Sequence, residues 1–153
     1  MGNICRSPTA EAVMRALVAE EGLDGVIEID SAGTGAWHVG DPPDPRSTAA
    51  ARARGIVVEG AARQVTQADF EAYDLLLAAD GQNAAALVAA APDDDAAGRV
   101  RLLREFDPAA VAAAELEVPD PYHGGARGFD DVIDMVDAAC RGLLAQLRAE
   151  GRV

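Results

Sequence analysis

The sequence predicts one α/β domain built on a parallel sheet. Three observations carry that expectation. Strand-like and helix-like segments alternate along the whole chain. A run at residues 73–79, apolar apart from Asp74 and closed by Asp80-Gly81, suits a strand buried on both faces. Finally, the 153 residues contain no internal repeat and no linker, and their number fits a single domain over the full length, 1–153. Half of the residues are hydrophobic and only 4% aromatic, so Ala, Val, Leu and Ile must make the core. That is enough apolar material to exclude a disordered or fibrous chain.

The elements follow in order. Gly2 and Asn3 are turn formers, and Ser7-Pro8 reads as a helix start, with serine at the N-cap and proline in the first helical position. Ala12, Val13, Ala16, Leu17 and Val18 continue at helical spacing as far as Gly22. Residues 26–29 are a short β-branched run, read as a strand that enters the loop Asp30-Ser31-Ala32-Gly33. Gly40, Pro42, Pro43 and Pro45 make residues 35–46 an irregular connection. An Ala-rich helix at residues 47–54 is closed by Gly55, and residues 66–70 form one helical turn. After the buried strand, residues 83–90 are helical, stopped by Pro92 and the run Asp93-Asp94-Asp95. Residues 99–103 are a short strand, and Asp107-Pro108 opens a loop or weak helix through Ala114. The last element, residues 129–148, is long and amphipathic, with Val132, Ile133, Val136, Cys140, Leu143, Leu144 and Leu147 on one face.

Composition narrows the function classes. Against 26 acidic residues stand 13 basic ones, all arginine, for a formal charge of −13. Such a chain, with no basic run, is a poor binder of nucleic acid or of an anionic membrane. No segment approaches the ~20 apolar residues of a membrane span, and the polar start of the chain is no signal peptide. Two distant cysteines, Cys5 and Cys140, make no disulfide framework. The expectation is a soluble cytoplasmic domain.

The segment Gly2-Asn3-Ile4-Cys5-Arg6-Ser7-Pro8 ahead of a helix has the make-up of an anion-binding loop. Gly and Asn tolerate unusual backbone angles, which lets successive N–H groups converge on one point. The helix start adds free N–H groups and the positive end of its dipole, and Arg6 adds a planar fork for phosphate oxygens. A frayed terminus with an ordinary helix cap has the same composition.

The segment resembles the phosphate loop of the low-molecular-weight protein tyrosine phosphatases, C-x-G-N-x-C-R-S-P. Further segments match the family in order: Asp30-Ser31-Ala32-Gly33-Thr34 followed by Trp37; Gly40 with Pro43-Asp44-Pro45-Arg46; and Ala62-Arg63-Gln64-Val65 with Asp69-Phe70. Asp80 and Asn83 fit its D-x-x-N turn, and Val118-Pro119-Asp120-Pro121-Tyr122 is similar to its general-acid loop. The resemblance implies a three-layer, doubly wound fold with a parallel four-stranded sheet. It implies hydrolysis of protein tyrosine phosphate, or of small aryl phosphates, through a phosphocysteine, by a monomer using neither metal nor cofactor. Arg6 and the loop residues Gly2, Asn3, Ile4, Cys5 and Ser7 would hold the phosphate, with Asn3 tying the loop and Ser7 donating to the thiolate. Asp120 would protonate the leaving phenolate and then activate water. Trp37 and Tyr122 would wall an aromatic pocket, although a lone Trp also serves simple packing. His123 would touch substrate or stand solvated, and His38 reads as surface.

Two departures from the family pattern stand out. The family's attacking cysteine lies six residues before its arginine, which places it ahead of Met1. Neither Cys5, followed six residues on by Glu11, nor Cys140, followed by Gln146, makes C-x5-R. Cys5 corresponds to the family's second cysteine, and Cys140 reads as a small buried hydrophobe. The apolar strand that feeds the phosphate loop would also precede Met1. The expectation is therefore an N-terminally truncated chain with a gap in its sheet, inactive as it stands; losing such a strand forfeits about 1.5–3 kcal/mol per large side chain. The second departure is Gly60, where the family often carries a histidine supporting the loop asparagine.

Other classes compete less well. A non-catalytic phosphate-binding relic would keep Arg6 and the loop without turnover. A thioredoxin-coupled arsenate reductase needs two more redox cysteines near the third strand, and residues 73–97 have none. Protein arginine phosphatases share the scaffold, but Ile4 in the loop leans toward tyrosine phosphate.

Overall fold

The structure, a computed structural model, describes residues 2–122 and 124–153. Seven α-helices and two strands run in the order α1 (Arg6–Glu20), α2 (Pro45–Arg52), α3 (Gln67–Ala72), β1 (Leu76–Ala78), α4 (Gly81–Ala90), α5 (Asp94–Gly98), β2 (Val100–Leu102), α6 (Pro108–Ala113) and α7 (Ala126–Ala149), with a 3₁₀ turn (Leu103–Phe106) between β2 and α6.

The strands pair in parallel, Leu76 opposite Val100 and Ala78 opposite Leu102. Alternation along β1 divides the core between two faces. Leu76 and Ala78 pack with Phe70, Leu87 and Ala96, beneath α4 and α5. Leu75, Leu77 and Ala79 face the larger cluster, which holds Val13, Leu17 and Val18 of α1 and Val136, Cys140, Leu143 and Leu147 of α7. Helices thus cover both faces of the sheet, as a βαβ connection requires.

Among the described residues the sheet has two strands, not the three expected of this chain out of the four that the resemblance implies. Residues 26–29, expected as a strand, form none: the Val26 and Ile27 N–H groups bond back to the Leu23 carbonyl in a turn. A β-branched run becomes a strand only where a neighbouring backbone answers its N–H and C=O groups. The loop after it forms a single parallel bridge, Gly33 with Gln64. Ile27 and Ile29, together with Leu75 and Leu77 on the β1 side, line one cavity of about 830 Å³. The expected strand at residues 73–79 shrinks to three residues for the same reason, because β2 supplies only three partners.

Helix starts departed from expectation where the cap was misplaced. Helix α1 begins one residue before Ser7: Cys5 is its N-cap and no side chain caps it. Asp93-Asp94-Asp95, expected to stop a helix, starts one. Asp93 accepts from the Ala96 N–H at 2.8 Å, and the next two carboxylates sit in the first turn against the positive end of α5. Asp107 caps α6 in the same way, and the left-handed Ala114 (φ 56°) ends it.

No helix of the described residues is long and apolar enough to cross a membrane.

Candidate active site

The chain enters its first helix through a tightly braced loop. Asn3 adopts φ 61°, a left-handed conformation that a short polar side chain tolerates and most residues resist. Its amide satisfies three partners. Nδ2 donates to Ser7 Oγ at 2.7 Å and to Ser31 Oγ at 3.1 Å, and Oδ1 accepts from the Arg63 N–H at 3.1 Å. Asn3 is thereby fixed without a histidine at position 60. Ser7 is an acceptor in this tie and not the helix cap. Gly2 answers a different need: a Cβ there would come within 2.5 Å of His38 Cδ2. His38, expected as a plain surface residue, therefore packs on the loop, paired with Asp41 at 3.0 Å.

Arg6 is buried at 6% exposure. Its Nη1 donates to Asp80 Oδ2 and to the Val118 carbonyl, both at 2.7 Å. Asp80 in turn caps α4, accepting from the Asn83 N–H at 2.8 Å. These contacts hold the guanidinium between the phosphate-loop helix, the end of β1 and the segment leading to Asp120. Asp120 is exposed and turns its Oδ1 to the Tyr122 N–H at 3.0 Å. Trp37, 72% exposed, lies across Gly35, where a Cβ would overlap the indole ring.

The sequence reading placed nine residues in the site: Gly2, Asn3, Ile4, Cys5, Arg6, Ser7, Trp37, Asp120 and Tyr122. All nine line the single 830 Å³ cavity, whose inner part is apolar. His123 lies outside the described residues. Among the described residues no cluster of three His, Cys, Asp or Glu side chains could hold a metal ion.

Neither thiol is an activated nucleophile. Burial pushes Cys5 up to about 11, against a hydrogen bond from Ser47 that favours the thiolate; the Asp44 and Asp120 charges add to the rise. Burial likewise pushes Cys140 up to about 12. A reactive thiolate needs the opposite environment, one rich in donors and positive charge.

The whole chain, residues 1–153, matches the family model described as low molecular weight phosphotyrosine protein phosphatase. The chain belongs to that family. A low molecular weight protein-tyrosine-phosphatase of Streptomyces coelicolor is 51% identical over 153 residues, covering 99% of this chain and 93% of that protein. The Bacillus subtilis protein YfkJ, which carries the same description, is 39% identical over 98% of this chain and 93% of its own length. Among solved structures, a protein tyrosine phosphatase from Entamoeba histolytica with Hepes in its active site superposes with a TM-score of 0.92 at 36% identity, covering 100% of this chain and 95% of that one. These matches lend no support to the expectation of a truncated chain.

Within this member of the low molecular weight phosphatase family, the structure adds residues that the motif reading passed over. Ser31 and Arg63 brace Asn3, and Arg63 is itself held by Asp69 at 2.9 Å and Asp30 at 3.0 Å. Both fall in segments that resemble the family, yet their spacing in sequence gives no sign of the bond to Asn3. Asp44 also reaches the loop, its N–H donating to the Ile4 carbonyl at 2.7 Å.

Three carboxyls around the site are held below the ordinary aspartate range. Arg46 bonds do this for Asp44, and Arg63 bonds for Asp69. At Asp80 burial pushes upward, but the Asn83 N–H and Arg6 together outweigh it. A carboxyl depressed on folding stabilises above its unfolded pKa of about 3.9 and loses that contribution as pH falls through the folded value. The melting temperature is therefore expected to hold between pH 7 and 5 and to drop below about pH 4. Asp69→Asn should flatten that acid limb while lowering the plateau, a comparison read by calorimetry at half-unit steps.

Proposed function

We propose that this chain is a tyrosine-phosphate monoesterase, which also takes small aryl phosphates. The observation that carries the reading is the meeting, around one cavity, of the Gly2–Ser7 loop, buried Arg6, Asp120 and two exposed aromatic side chains. Phosphoryl transfer calls for just such parts. Charge builds on the equatorial oxygens, so fixed donors and a guanidinium stabilise the transition state more than the ground state. Loop N–H groups, the start of α1 and Arg6 supply that stabilisation at short range, which a net charge of −13 spread over the surface does not cancel. Trp37 and Tyr122 accept the aryl ring.

In the reaction a thiolate attacks phosphorus and the bond from phosphorus to the aryl oxygen breaks. Asp120 passes its proton to the leaving oxygen. It then takes a proton from the water that cleaves the phosphocysteine, which regenerates the thiolate and releases phosphate. In the family pattern the attacking cysteine stands six residues ahead of the arginine, a position ahead of Met1, and the raised thiols Cys5 and Cys140 do not replace it. Two buried free cysteines and the acidic surface fit a monomer in a reducing cytoplasm.

Calorimetric titration with inorganic phosphate tests the binding half of the proposal. The other half is tested by an N-terminal extension that ends in an apolar strand and places cysteine six residues before Arg6. The extended chain is expected to hydrolyse para-nitrophenyl phosphate, and Asp120→Asn to lower kcat by roughly 10²–10⁴. An extended, folded chain with no hydrolysis would leave only the binding role.

A further inference from the structure

The start of α2 touches both loops of the site, and one side chain makes the second of those contacts. On the phosphate-loop side, the Asp44 N–H donates to the Ile4 carbonyl at 2.7 Å, and Ser47 is hydrogen-bonded to the Cys5 thiol. Asp44 is buried at 6% exposure and grips Arg46 as a fork, Nε on Oδ1 at 3.1 Å and Nη2 on Oδ2 at 2.9 Å. On the other side, Arg46 Nη2 donates to the Tyr122 carbonyl at 3.0 Å. Its guanidinium also lies 5.5 Å from the Tyr122 ring centroid and 4.7 Å from that of Phe129, in the first turn of α7. Tyr122 passes the constraint on, because its N–H is the donor to Asp120 Oδ1 at 3.0 Å. A continuous line of bonds thus runs from the Ile4 carbonyl through Asp44, Arg46 and Tyr122 to the Asp120 carboxylate.

The geometry points to Arg46 as a positioning residue that sets Asp120 and Tyr122 over the phosphate loop. The inference rests on the proposed function for its meaning, while the clamp itself is a property of the fold. A planar fork can bond a carboxylate along one edge, reach a carbonyl and stack on two rings at once. A lysine ammonium cannot do all of these together. Tyr122 also meets the His38 ring, with centroids 6.2 Å apart, and the Gly124 N–H donates to the Pro121 carbonyl within the loop.

The test uses the 153-residue chain and two ligands, inorganic phosphate and phenyl phosphate, followed through the fluorescence of Trp37, the chain's one tryptophan. Amide hydrogen exchange at Tyr122 and Gly124 is measured in the free protein. Arg46→Met keeps an apolar stem against Phe129, and α7 exchange at Val136 and Cys140 checks that the fold is retained. The expected result is about tenfold faster exchange at Tyr122 and Gly124 with α7 unchanged. Phenyl phosphate should bind about five- to tenfold more weakly and inorganic phosphate within twofold of the parent, with Arg46→Lys falling between. Unchanged loop exchange would overturn the inference. So would an equal loss for both ligands, which would make Arg46 a support of the phosphate loop alone. If the parent chain binds neither ligand, the functional proposal fails, and the exchange data still decide whether Arg46 holds the loop.

Discussion

Gly142→Ala is expected to destabilise the protein by about 3 kcal/mol or more, although it adds only one methyl group within a helix. The glycine sits in α7 where that helix crosses the 3₁₀ turn, and a Cβ there would overlap the Phe106 carbonyl oxygen. The obstacle is backbone, so no rotamer change relieves it. The helix would have to lift off the turn, and with it Val136, Ala139, Cys140, Leu143 and Leu147, which form one wall of the main core. Helix propensity works the other way, since alanine is favoured over glycine by up to ~1 kcal/mol, but the overlap outweighs it. At the usual sensitivity of a domain this size, the loss corresponds to roughly 6–12 °C in melting temperature. Gly98→Ala is the matched control. It is also helical, nothing lies within 4 Å of its added Cβ, and it should raise the melting temperature slightly. If both variants melt alike, the packing of α7 against the 3₁₀ turn does not limit stability.

The sequence made the site more legible than the sheet. Loop chemistry is local: Asn3, Arg6 and Ser7 lie within five residues, and their types reveal an anion loop before any contact is known. Pairing is not local. Residues 26–29 have the β-branched character of a strand, but strand formation depends on which backbone lies alongside, and that is a property of the assembled chain. Capping errors had a similar origin. Ser7-Pro8 satisfies the rule for a helix start, yet the helix opens one residue earlier, at Arg6, with Cys5 as its cap. The run Asp93-Asp94-Asp95 after Pro92 has the make-up of a helix stop, whereas its first member accepts a helix N–H and starts α5. The role of Arg46 was hidden for a third reason. Its partners Asp44 and Tyr122 lie on opposite sides of it, 2 and 76 residues away in sequence, and only folding shows that one guanidinium reaches both.

Arg6→Met should separate two functions that the native side chain combines. It removes the charge offered to phosphate, and it leaves the Val118 carbonyl and one Asp80 oxygen without the donor that met each at 2.7 Å. A hydrogen bond to a charged group contributes about 1.5–3 kcal/mol, so phosphate affinity should fall by roughly 10- to 100-fold. Stability should fall as well, by about 1–3 kcal/mol, because Asp80 keeps its bond from the Asn83 N–H and is only part-buried. The two losses differ in cause, and a second substitution divides them. Asp80→Asn removes the carboxylate left without its cation while keeping an oxygen for the α4 cap. In the double variant stability should recover much of the loss, while phosphate binding should stay as weak as in Arg6→Met. Titration and thermal melts on the four proteins form a double-mutant cycle. Recovery of phosphate affinity along with stability would mean that Arg6 acts through the fold of the loop and not through its charge. A lasting deficit would assign the phosphate's cation to this one buried guanidinium, in a molecule whose net charge is −13.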